Sequence, residues 1–224
     1  MAFVHEVLFS YARTHLEAFI RDPAHADLVQ DLATQFATEH GGEAEVMGAP
    51  PWRSGDNVER LDSVITYVLW LMDRDRKSPA LKTLQGYIWE IGYHAGQLRG
   101  ATFADVPPAL RRWRSDGLTL AIYSSGSVLA QQLIFSMTDD GDLTPLISHF
   151  FDTMVGPKRS AGSYTRIASA LALGPAHILF LSDVAAELDA ARAAGWQVIL
   201  TVRPDHVAPN PGGYEQVTTF DALQ

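Results

Sequence analysis

The hydrophobic pattern of the chain changes near residue 105, and this change limits the possible folds more than any other feature of the sequence. Before this point, apolar residues recur at the spacing of amphipathic helices, over residues 3–20, 27–38, 58–72 and 79–91. After it, short apolar runs alternate with stretches of helical spacing. Such runs are typical of parallel strands that helices bury on both faces. The sequence therefore predicts a helical domain over residues 1–104 and an α/β domain over residues 105–224.

The α/β half contains four candidate strands, over residues 118–123, 152–155, 177–181 and 196–202. Helical stretches separate these strands, and this alternation predicts βα units. The segment after Arg203 is rich in proline and glycine, so we predict that it is a loop.

The composition excludes several classes of function. The 224 residues include 17 Lys and Arg against 26 Asp and Glu, and the resulting charge of −9 argues against a nucleic-acid partner, because such a surface repels phosphate backbones. Without cysteine, the chain forms no disulfides and carries out no thiolate chemistry. The sequence shows neither a secretory signal pattern nor an apolar run that could span a bilayer. We expect a cytoplasmic monomer with no membrane partner.

Hydroxyl side chains follow the first predicted strand, at the edge where open parallel sheets bind ligands. They belong to the run Ser124-Ser125-Gly126-Ser127, which leads directly into a helix. Hydroxyls and backbone N–H groups at a helix N-terminus can bind a phosphate. The same residues could equally serve only to cap the helix.

A lysine and an aspartate follow two later strands. Lys158 comes after the second strand and could neutralise a phosphoryl group there, or it could be a solvated surface lysine. Asp183 ends the third strand, where its carboxylate could bind Mg²⁺ or cap the next helix. Each signal is weak alone, but their order at successive strand ends favours one shared site.

This ordered set resembles the haloacid dehalogenase (HAD) superfamily of phosphotransferases, and within it the enolase-phosphatases, or acireductone synthases. In the second half, the motifs that carry the resemblance are Leu120-Ala-Ile-Tyr-Ser-Ser-Gly-Ser-Val-Leu-Ala-Gln131, Gly141-Asp-Leu-Thr-Pro145, Phe151-Asp-Thr153, Val155-Gly-Pro-Lys158, Ser163-Tyr164 and Ile178-Leu-Phe-Leu-Ser-Asp-Val184. In the first half they are Phe3-Val-His-Glu-Val-Leu-Phe9, Asp73-Arg-Asp-Arg-Lys77 and Leu84-Gln-Gly-Tyr-Ile-Trp89. The resemblance covers nearly the whole chain and thins after Arg203.

The resemblance implies a Rossmann-like parallel-sheet core of the HAD type with an all-helical cap inserted after the first strand. It implies an Mg²⁺-dependent enzyme of methionine salvage that enolises a small phosphorylated metabolite, 2,3-diketo-5-methylthiopentyl-1-phosphate, and then dephosphorylates it to acireductone. By motif match, Ser124 and Ser125 bind the substrate phosphate, Lys158 is a catalytic residue that contacts the phosphoryl group, and Asp183 ligates Mg²⁺. Positioning and charge neutralisation are most of what phosphoryl transfer requires of a protein.

One family motif is missing from this sequence. The family opens with a strand that ends in Asp-x-Glu-Gly-Thr, and its aspartate is both the nucleophile and a metal ligand. Here the family pattern starts downstream of that motif, at Ala2-Phe3-Val4-His5-Glu6. Covalent phosphoryl transfer needs the carboxylate nucleophile, so we expect the first core strand to be absent from this chain and the chain as printed to be inactive. We also expect the intact gene product to begin about twenty residues earlier, the length of one strand and one loop.

Other interpretations stay open. The chain could be a non-catalytic remnant of the HAD fold that binds a phosphometabolite, or a HAD phosphatase for another small molecule, because a fold alone does not determine the substrate. Glu187, one helical turn after Asp183, either supports the metal site or is simply a favourable carboxylate at a helix start. Trp89, Tyr93 and His94 either face the methylthio end of the substrate or belong to the core.

Overall fold

The computed structural model describes residues 4–40, 48–53, 55–76, 78–203 and 213–223. The chain forms two compact units, Met1–Arg99 and Gly100–Gln224, the first helical and the second α/β. The domain boundary between residues 104 and 105 stays a prediction. None of the helices in the described ranges combines the length and the hydrophobicity that a membrane span requires.

Four α-helices make up the described part of the first unit. They are α1 (Ser10–Arg21), α2 (Ala26–Glu39), α3 (Asn57–Asp73) and α4 (Pro79–His94). A short π-helical segment, Val4–Phe9, runs directly into α1, and a 3₁₀ turn, Pro23–His25, precedes α2. The helical spacing of the apolar residues predicted this all-helical architecture.

Side-chain caps begin two of these helices. Ser78 Oγ accepts a hydrogen bond from Leu81 N at 3.1 Å, and Pro79 takes the first helical position, where no N–H is needed. Asp56 Oδ1 accepts from Glu59 N at 3.0 Å and begins α3 in the same way. Local chemistry therefore sets where each of the two helices starts.

The apolar faces of the four helices pack into a core. Its fully buried side chains include Leu8, Leu16, Phe36, Tyr67, Leu84 and Ile88. Trp89 and Tyr93 are buried with them, and Trp89 Nε1 donates to Leu8 O at 2.7 Å. His94, by contrast, is exposed. Trp89 and Tyr93 are therefore core residues of the helical unit.

The second unit alternates helices and strands. In chain order they are α5 (Val106–Ser115), β1 (Ala121–Tyr123), α6 (Val128–Ser136), β2 (His149–Phe151), α7 (Ala161–Leu171), β3 (Leu179–Ser182), α8 (Ala185–Ala193), β4 (Gln197–Thr201) and β5 (Gln216–Val217). This alternation is the βα pattern that the apolar runs predicted.

The strands form two parallel groups. β1 pairs with β2, with Ile122 opposite Phe150. β4 lies between β3 and β5 and pairs in parallel with both, with Phe180 opposite Val198. Within the described ranges, no strand pairs with the second edge of β1 or with the second edge of β3.

One helix packs against both strand groups. α7 contributes Tyr164, which is fully buried, and its ring centroid lies 5.6 Å from that of Tyr123 in β1 and 5.2 Å from that of Phe180 in β3. Phe151 of β2 and Val198 of β4 pack against the same cluster. The two strand groups therefore share one hydrophobic layer, although no hydrogen-bonded strand of the described chain connects β1 to β3.

The second strand lies earlier than the sequence predicted. Residues 152–155 form a turn rather than a strand, and β2 ends at Phe151. The reason is local, because Asp152 Oδ1 accepts a hydrogen bond from Met154 N at 2.8 Å and closes a turn directly after the strand.

The prediction of a loop after Arg203 is partly wrong. Within the tail, residues 204–212 lie outside the described residues, but β5 extends the sheet next to β4, and a 3₁₀ turn follows at Phe220–Ala222. Tyr214 and Val217 are buried, so this short segment belongs to the core despite its polar, turn-rich surroundings.

Candidate functional site

The loop between β1 and α6 carries the two serines predicted to bind phosphate. Ser124 N donates to the last carbonyl of β2 at 3.0 Å, and Ser124 Oγ accepts from Gly126 N at 3.1 Å. Ser127 caps α6, since its Oγ accepts from Ala130 N at 3.2 Å. The capping role therefore falls to Ser127, and the exposed Ser125 and half-buried Ser124 precede the cap at the N-terminus of a nine-residue helix.

A buried glutamine of α6 ties this loop to the sheet. Gln131 is 4% exposed, and its Nε2 donates to Gly126 O and to Phe151 O, both at 3.0 Å. These two bonds connect the serine loop to the carboxyl end of β2. The loop is therefore held in one geometry from both its helix side and its strand side.

Lys158 is not a solvated surface lysine. Its side chain is 21% exposed, and Nζ lies 2.6 Å from Glu187 Oε2. Nζ also lies 5.8 Å from the ring centroid of Tyr123, within the range of a cation–π contact. The ammonium group is therefore held by a carboxylate and by an aromatic face.

Glu187 connects Lys158 to the end of β3. Its side chain is buried in the first turn of α8, and its Oε2 also accepts a hydrogen bond from Ser182 Oγ at 3.0 Å. Asp183 comes next after Ser182 and is half-buried. Val184, not Asp183, occupies the N-cap position of α8, so the structure does not use Asp183 as the helix cap.

The contacts of Lys158 reach residues next to the ends of two strands, β1 and β3. Lys158 contacts Tyr123, which directly precedes Ser124. It also pairs with Glu187, which accepts a hydrogen bond from Ser182, the residue directly before Asp183. The arrangement therefore places a positive charge next to the carboxyl ends of both β1 and β3.

The described residues fit a magnesium ion only in part. Within those ranges, no group of three or more His, Asp or Glu side chains is placed to hold a metal ion. Mg²⁺ in phosphoryl-transfer sites commonly uses one or two protein carboxylates and keeps several waters. Asp183 carries one carboxylate directly after β3, and the carboxylate of Glu187 bonds Lys158 and Ser182.

Two tyrosines near Lys158 are protonated hydrogen-bond donors at neutral pH. Burial raises the pKa of Tyr123 and that of Tyr164, because an ionised phenol would lose its hydration. Tyr123 OH donates to Gly156 O at 2.8 Å, and Tyr164 OH donates to Lys158 O at 2.7 Å. Both hydroxyls therefore bond the backbone of the segment that presents Lys158.

Some of these residues were not foreseen as parts of the site. The sequence does not identify Gln131 or Tyr123 as parts of the site, because nothing in their residue type or spacing signals their contacts. Glu187 did carry a signal, because it lies one helical turn after Asp183. Its partner, however, is the ammonium group of Lys158, and this contact depends on tertiary structure.

Comparison with known proteins agrees with the geometry. A family model described as haloacid dehalogenase-like hydrolase matches residues 7–195. Enolase-phosphatase E1 from Synechococcus elongatus is 46% identical over 227 residues, which cover 99% of this chain and 91% of that protein. Enolase-phosphatase E1 from Sorangium cellulosum is 48% identical over 221 residues, which cover 99% of this chain and 90% of that protein.

Solved structures share the same fold. The UTR4 protein from Saccharomyces cerevisiae superimposes with a TM-score of 0.79 at 31% identity, covering 99% of this chain and 93% of that chain. CbbY from Rhodobacter sphaeroides, solved in complex with phosphate, has a TM-score of 0.53 at 15% identity and shares the fold over 87% of this chain and 89% of that chain. The chain therefore belongs to the haloacid dehalogenase-like hydrolases and, within them, to the enolase-phosphatases.

Proposed function

We propose that this protein serves methionine salvage as an Mg²⁺-dependent enolase-phosphatase, with 2,3-diketo-5-methylthiopentyl-1-phosphate as substrate and acireductone as product. The relatives named enolase-phosphatase E1 support the reaction class. The observation that carries the proposal is the placement of Lys158, whose ammonium is held by Glu187 and Tyr123 at the carboxyl ends of β3 and β1.

The serine loop and Lys158 together would bind the phosphate group. Ser124 and Ser125 offer hydroxyls at the start of α6, where N–H groups and the helix dipole favour an anion. Lys158 adds a positive charge that stabilises the charge on the phosphoryl oxygens. Because its side chain is largely buried, solvent and salt would screen this attraction less than they screen that of a surface lysine.

Asp183 is the residue that we propose as a ligand of Mg²⁺. A bound magnesium ion neutralises charge on phosphoryl oxygens and orients the phosphate. Since no group of three or more potential ligands is placed to hold a metal ion in the described residues, we expect weak Mg²⁺ binding to this chain. Replacing Asp183 by alanine should abolish that binding in a calorimetric titration with MgCl₂, whereas replacing the exposed Asp221 should leave it unchanged.

The nucleophile is the part of the reaction that this sequence does not supply. The motif Asp-x-Glu-Gly-Thr does not occur in it, Glu187 is engaged by Lys158, and Asp105 is engaged by Arg203. The unpaired edges of β1 and β3 are where a further strand would find backbone partners. We propose that a strand ending in the aspartate nucleophile pairs there in the active enzyme, and that the chain as printed does not turn over substrate.

Hydrolysis of a generic phosphate ester tests this proposal. p-Nitrophenyl phosphate hydrolysis with MgCl₂ should be undetectable for the printed chain and measurable for a chain extended by the upstream in-frame codons. In the extended chain, Asp183→Ala should sharply reduce the rate, and Lys158→Met should reduce it by about 100-fold or more. Asp221→Ala is the matched control and should leave the rate unchanged.

Two results would contradict the proposal. Hydrolysis by the printed chain at the rate of the extended chain would mean that another group is the nucleophile. An upstream stop codon with no Asp-x-Glu-Gly-Thr before residue 1 would instead favour the second candidate, a phosphometabolite-binding protein without catalysis. Another small-molecule phosphatase activity would appear as turnover of other phosphate esters but not of the diketo substrate.

A further inference from the structure

The backbone carbonyls of the four residues 155–158 each accept a hydrogen bond from a side chain. The donors and acceptors are Arg166 Nε to Val155 O at 2.6 Å, Tyr123 OH to Gly156 O at 2.8 Å, Ser163 Oγ to Pro157 O at 2.8 Å, and Tyr164 OH to Lys158 O at 2.7 Å. We call the segment 155–158 the lysine loop. Backbone groups in proteins bond mostly to other backbone groups, so an unbroken run of four side-chain partners is unusual.

The lysine loop packs closely against α7. Gly156 has a φ of +134°, and a Cβ atom at this position would collide with Arg166 and with Ser163 Oγ. Only glycine satisfies both the backbone conformation and the close approach. The loop is therefore fixed against the helix by packing as well as by hydrogen bonds.

Two of the four donor side chains, those of Ser163 and Tyr164, lie in the core. Ser163 and Tyr164 are fully buried in α7, and the Tyr164 ring makes edge contacts with Tyr123, Phe180 and Trp196 at centroid distances of 5.2–5.6 Å. These ring contacts do not involve the hydroxyl, so removing the hydroxyl would delete the bond to Lys158 O and leave the ring contacts in place.

Lys158 is thus held at both of its ends. Its carbonyl accepts from Tyr164, and its ammonium lies against Glu187. A lysine side chain normally loses considerable rotamer freedom when it is fixed in one geometry. Holding it before the ligand arrives means that this entropy is not lost during binding.

We propose that Tyr164, Ser163 and Tyr123 are positioning residues that fix the lysine loop and thereby hold the Lys158 ammonium ready to contact an anion. The positioning itself is independent of any reaction. Its consequence for anion binding rests on the function proposed above. These residues act through Lys158 and do not themselves contact substrate.

The first test measures the mobility of the Lys158 side chain directly, in the whole 224-residue chain. ¹³C relaxation of the Lys158 Cε methylene gives its order parameter, and thermal unfolding of each variant checks that it is folded. Tyr164→Phe and Ser163→Ala should each lower the Lys158 order parameter. Tyr214→Phe is the matched control, because Tyr214 is a buried tyrosine of the same unit whose hydroxyl bonds Asp189 and Ala185 instead of the lysine loop.

An unchanged order parameter in both Tyr164→Phe and Ser163→Ala would overturn the proposal. It would also be overturned if Tyr214→Phe lowered the Lys158 order parameter as much, because the effect would then reflect general loosening of the unit. If Tyr164→Phe does not fold, Ser163→Ala alone decides the outcome by the same measurement.

The second test asks whether positioning matters for binding. Inorganic phosphate is titrated calorimetrically in the presence of MgCl₂, with Lys158→Met as the reference for complete loss of the ammonium. Tyr164→Phe should weaken phosphate binding several-fold, so that its dissociation constant for phosphate lies between that of the unaltered chain and that of Lys158→Met. Variants with a mobile Lys158 and unchanged phosphate affinity would overturn the link to binding. Absence of phosphate binding by the unaltered chain would count against the proposed function, whereas the relaxation result would still decide the positioning role.

Discussion

Arg203 Nη1 donates hydrogen bonds to both carboxylate oxygens of Asp105, at 2.9 and 2.8 Å, and each side chain is only 11% exposed. The same carboxylate accepts a hydrogen bond from Phe220 N at 2.6 Å. Burial alone would raise the pKa of Asp105, but the bonds from Phe220 N and Arg203 outweigh it and lower this pKa below its ordinary value. Asp105 therefore joins the start of α5 to the segment after β4 through Arg203, and to the segment after β5 through Phe220.

Removing one partner of this pair should destabilise the protein. Asp105→Ala leaves the Arg203 guanidinium buried without its carboxylate, so we expect the free energy of unfolding to fall by about 3 kcal/mol in urea titrations. Asp116→Ala removes an exposed carboxylate at the other end of α5 and should change the free energy of unfolding by less than about 0.5 kcal/mol. Equal effects of the two substitutions would mean that the buried pair contributes no specific stability.

The lowered pKa of Asp105 predicts a dependence of stability on pH. A carboxylate with a lowered native pKa stabilises the fold above its ordinary pKa of about 4, and this contribution is lost as the pH falls through the native value. The difference in unfolding free energy between the unaltered chain and Asp105→Asn should therefore shrink as the pH is lowered below about 4. A difference that stayed constant from neutral to acidic pH would show that ionisation of Asp105 is not its source.

Lys158 and Glu187 should be strongly coupled in stability. Lys158→Met leaves the buried Glu187 carboxylate without its cation, and Glu187→Leu leaves the largely buried Lys158 ammonium without its anion, so each should cost about 3 kcal/mol. The double variant should cost less than the sum of the two, by about 1–3 kcal/mol.

An exposed ion pair provides the control for this double-mutant cycle. Arg13 Nη1 and Asp73 Oδ1 are 2.7 Å apart, against 2.6 Å for Lys158 and Glu187, but both side chains of this pair are about half exposed. Their coupling energy, from unfolding of Arg13→Met, Asp73→Leu and the double variant, should be below about 1 kcal/mol. Additive effects at Lys158 and Glu187 would contradict the role of their pair in holding the site.

In the described part of the chain, β1 and β3 each have one unpaired edge, and these edges predict that the 224-residue chain self-associates. Leu179 begins β3, is 47% exposed, and lies in a strand with one edge unpaired in the described chain. Such edges promote strand addition between molecules, and charged residues suppress it. Leu179→Lys should therefore lower concentration-dependent aggregation, measured by light scattering. Val58→Lys introduces the same charge at an exposed helix position and should have little effect. An equal decrease for both variants would show that net charge, and not the strand edge, is responsible.

The fold class could be predicted from the spacing of the apolar residues, because burial of one helix face or of a whole strand requires apolar side chains at a characteristic spacing. Helical spacing identified α1–α4, and unbroken apolar runs identified the parallel strands of the second unit. Strand ends were less accurate, since a single bond from Met154 N to the Asp152 carboxylate was enough to end β2 before the predicted strand. β5 was missed because two residues carry too little pattern to be seen in the sequence.

The sequence predicts the candidate site residues but not their contacts. Ser124 and Asp183 directly follow β1 and β3, as the order of strands and helices predicts, whereas Lys158 lies seven residues after the end of β2. By contrast, the pairing of Lys158 with Glu187 joins residues 29 positions apart. The two carbonyl contacts of Gln131 likewise depend on how α6 packs on the sheet. Local patterns do not encode such distances, so these contacts required the tertiary structure.

The hydrogen bond from Phe220 N to the Asp105 carboxylate also brings the start of α5 next to the C-terminal segment of the α/β unit. Arg112 Nη2, in the last turn of α5, donates to Phe220 O and to Leu223 O, both at 2.9 Å, and so holds the C-terminal segment against this helix. With its two ends side by side, this unit has the geometry that circular permutation requires. A short peptide could join them, and the polypeptide could instead be opened at a surface turn without separating any strand from its neighbours.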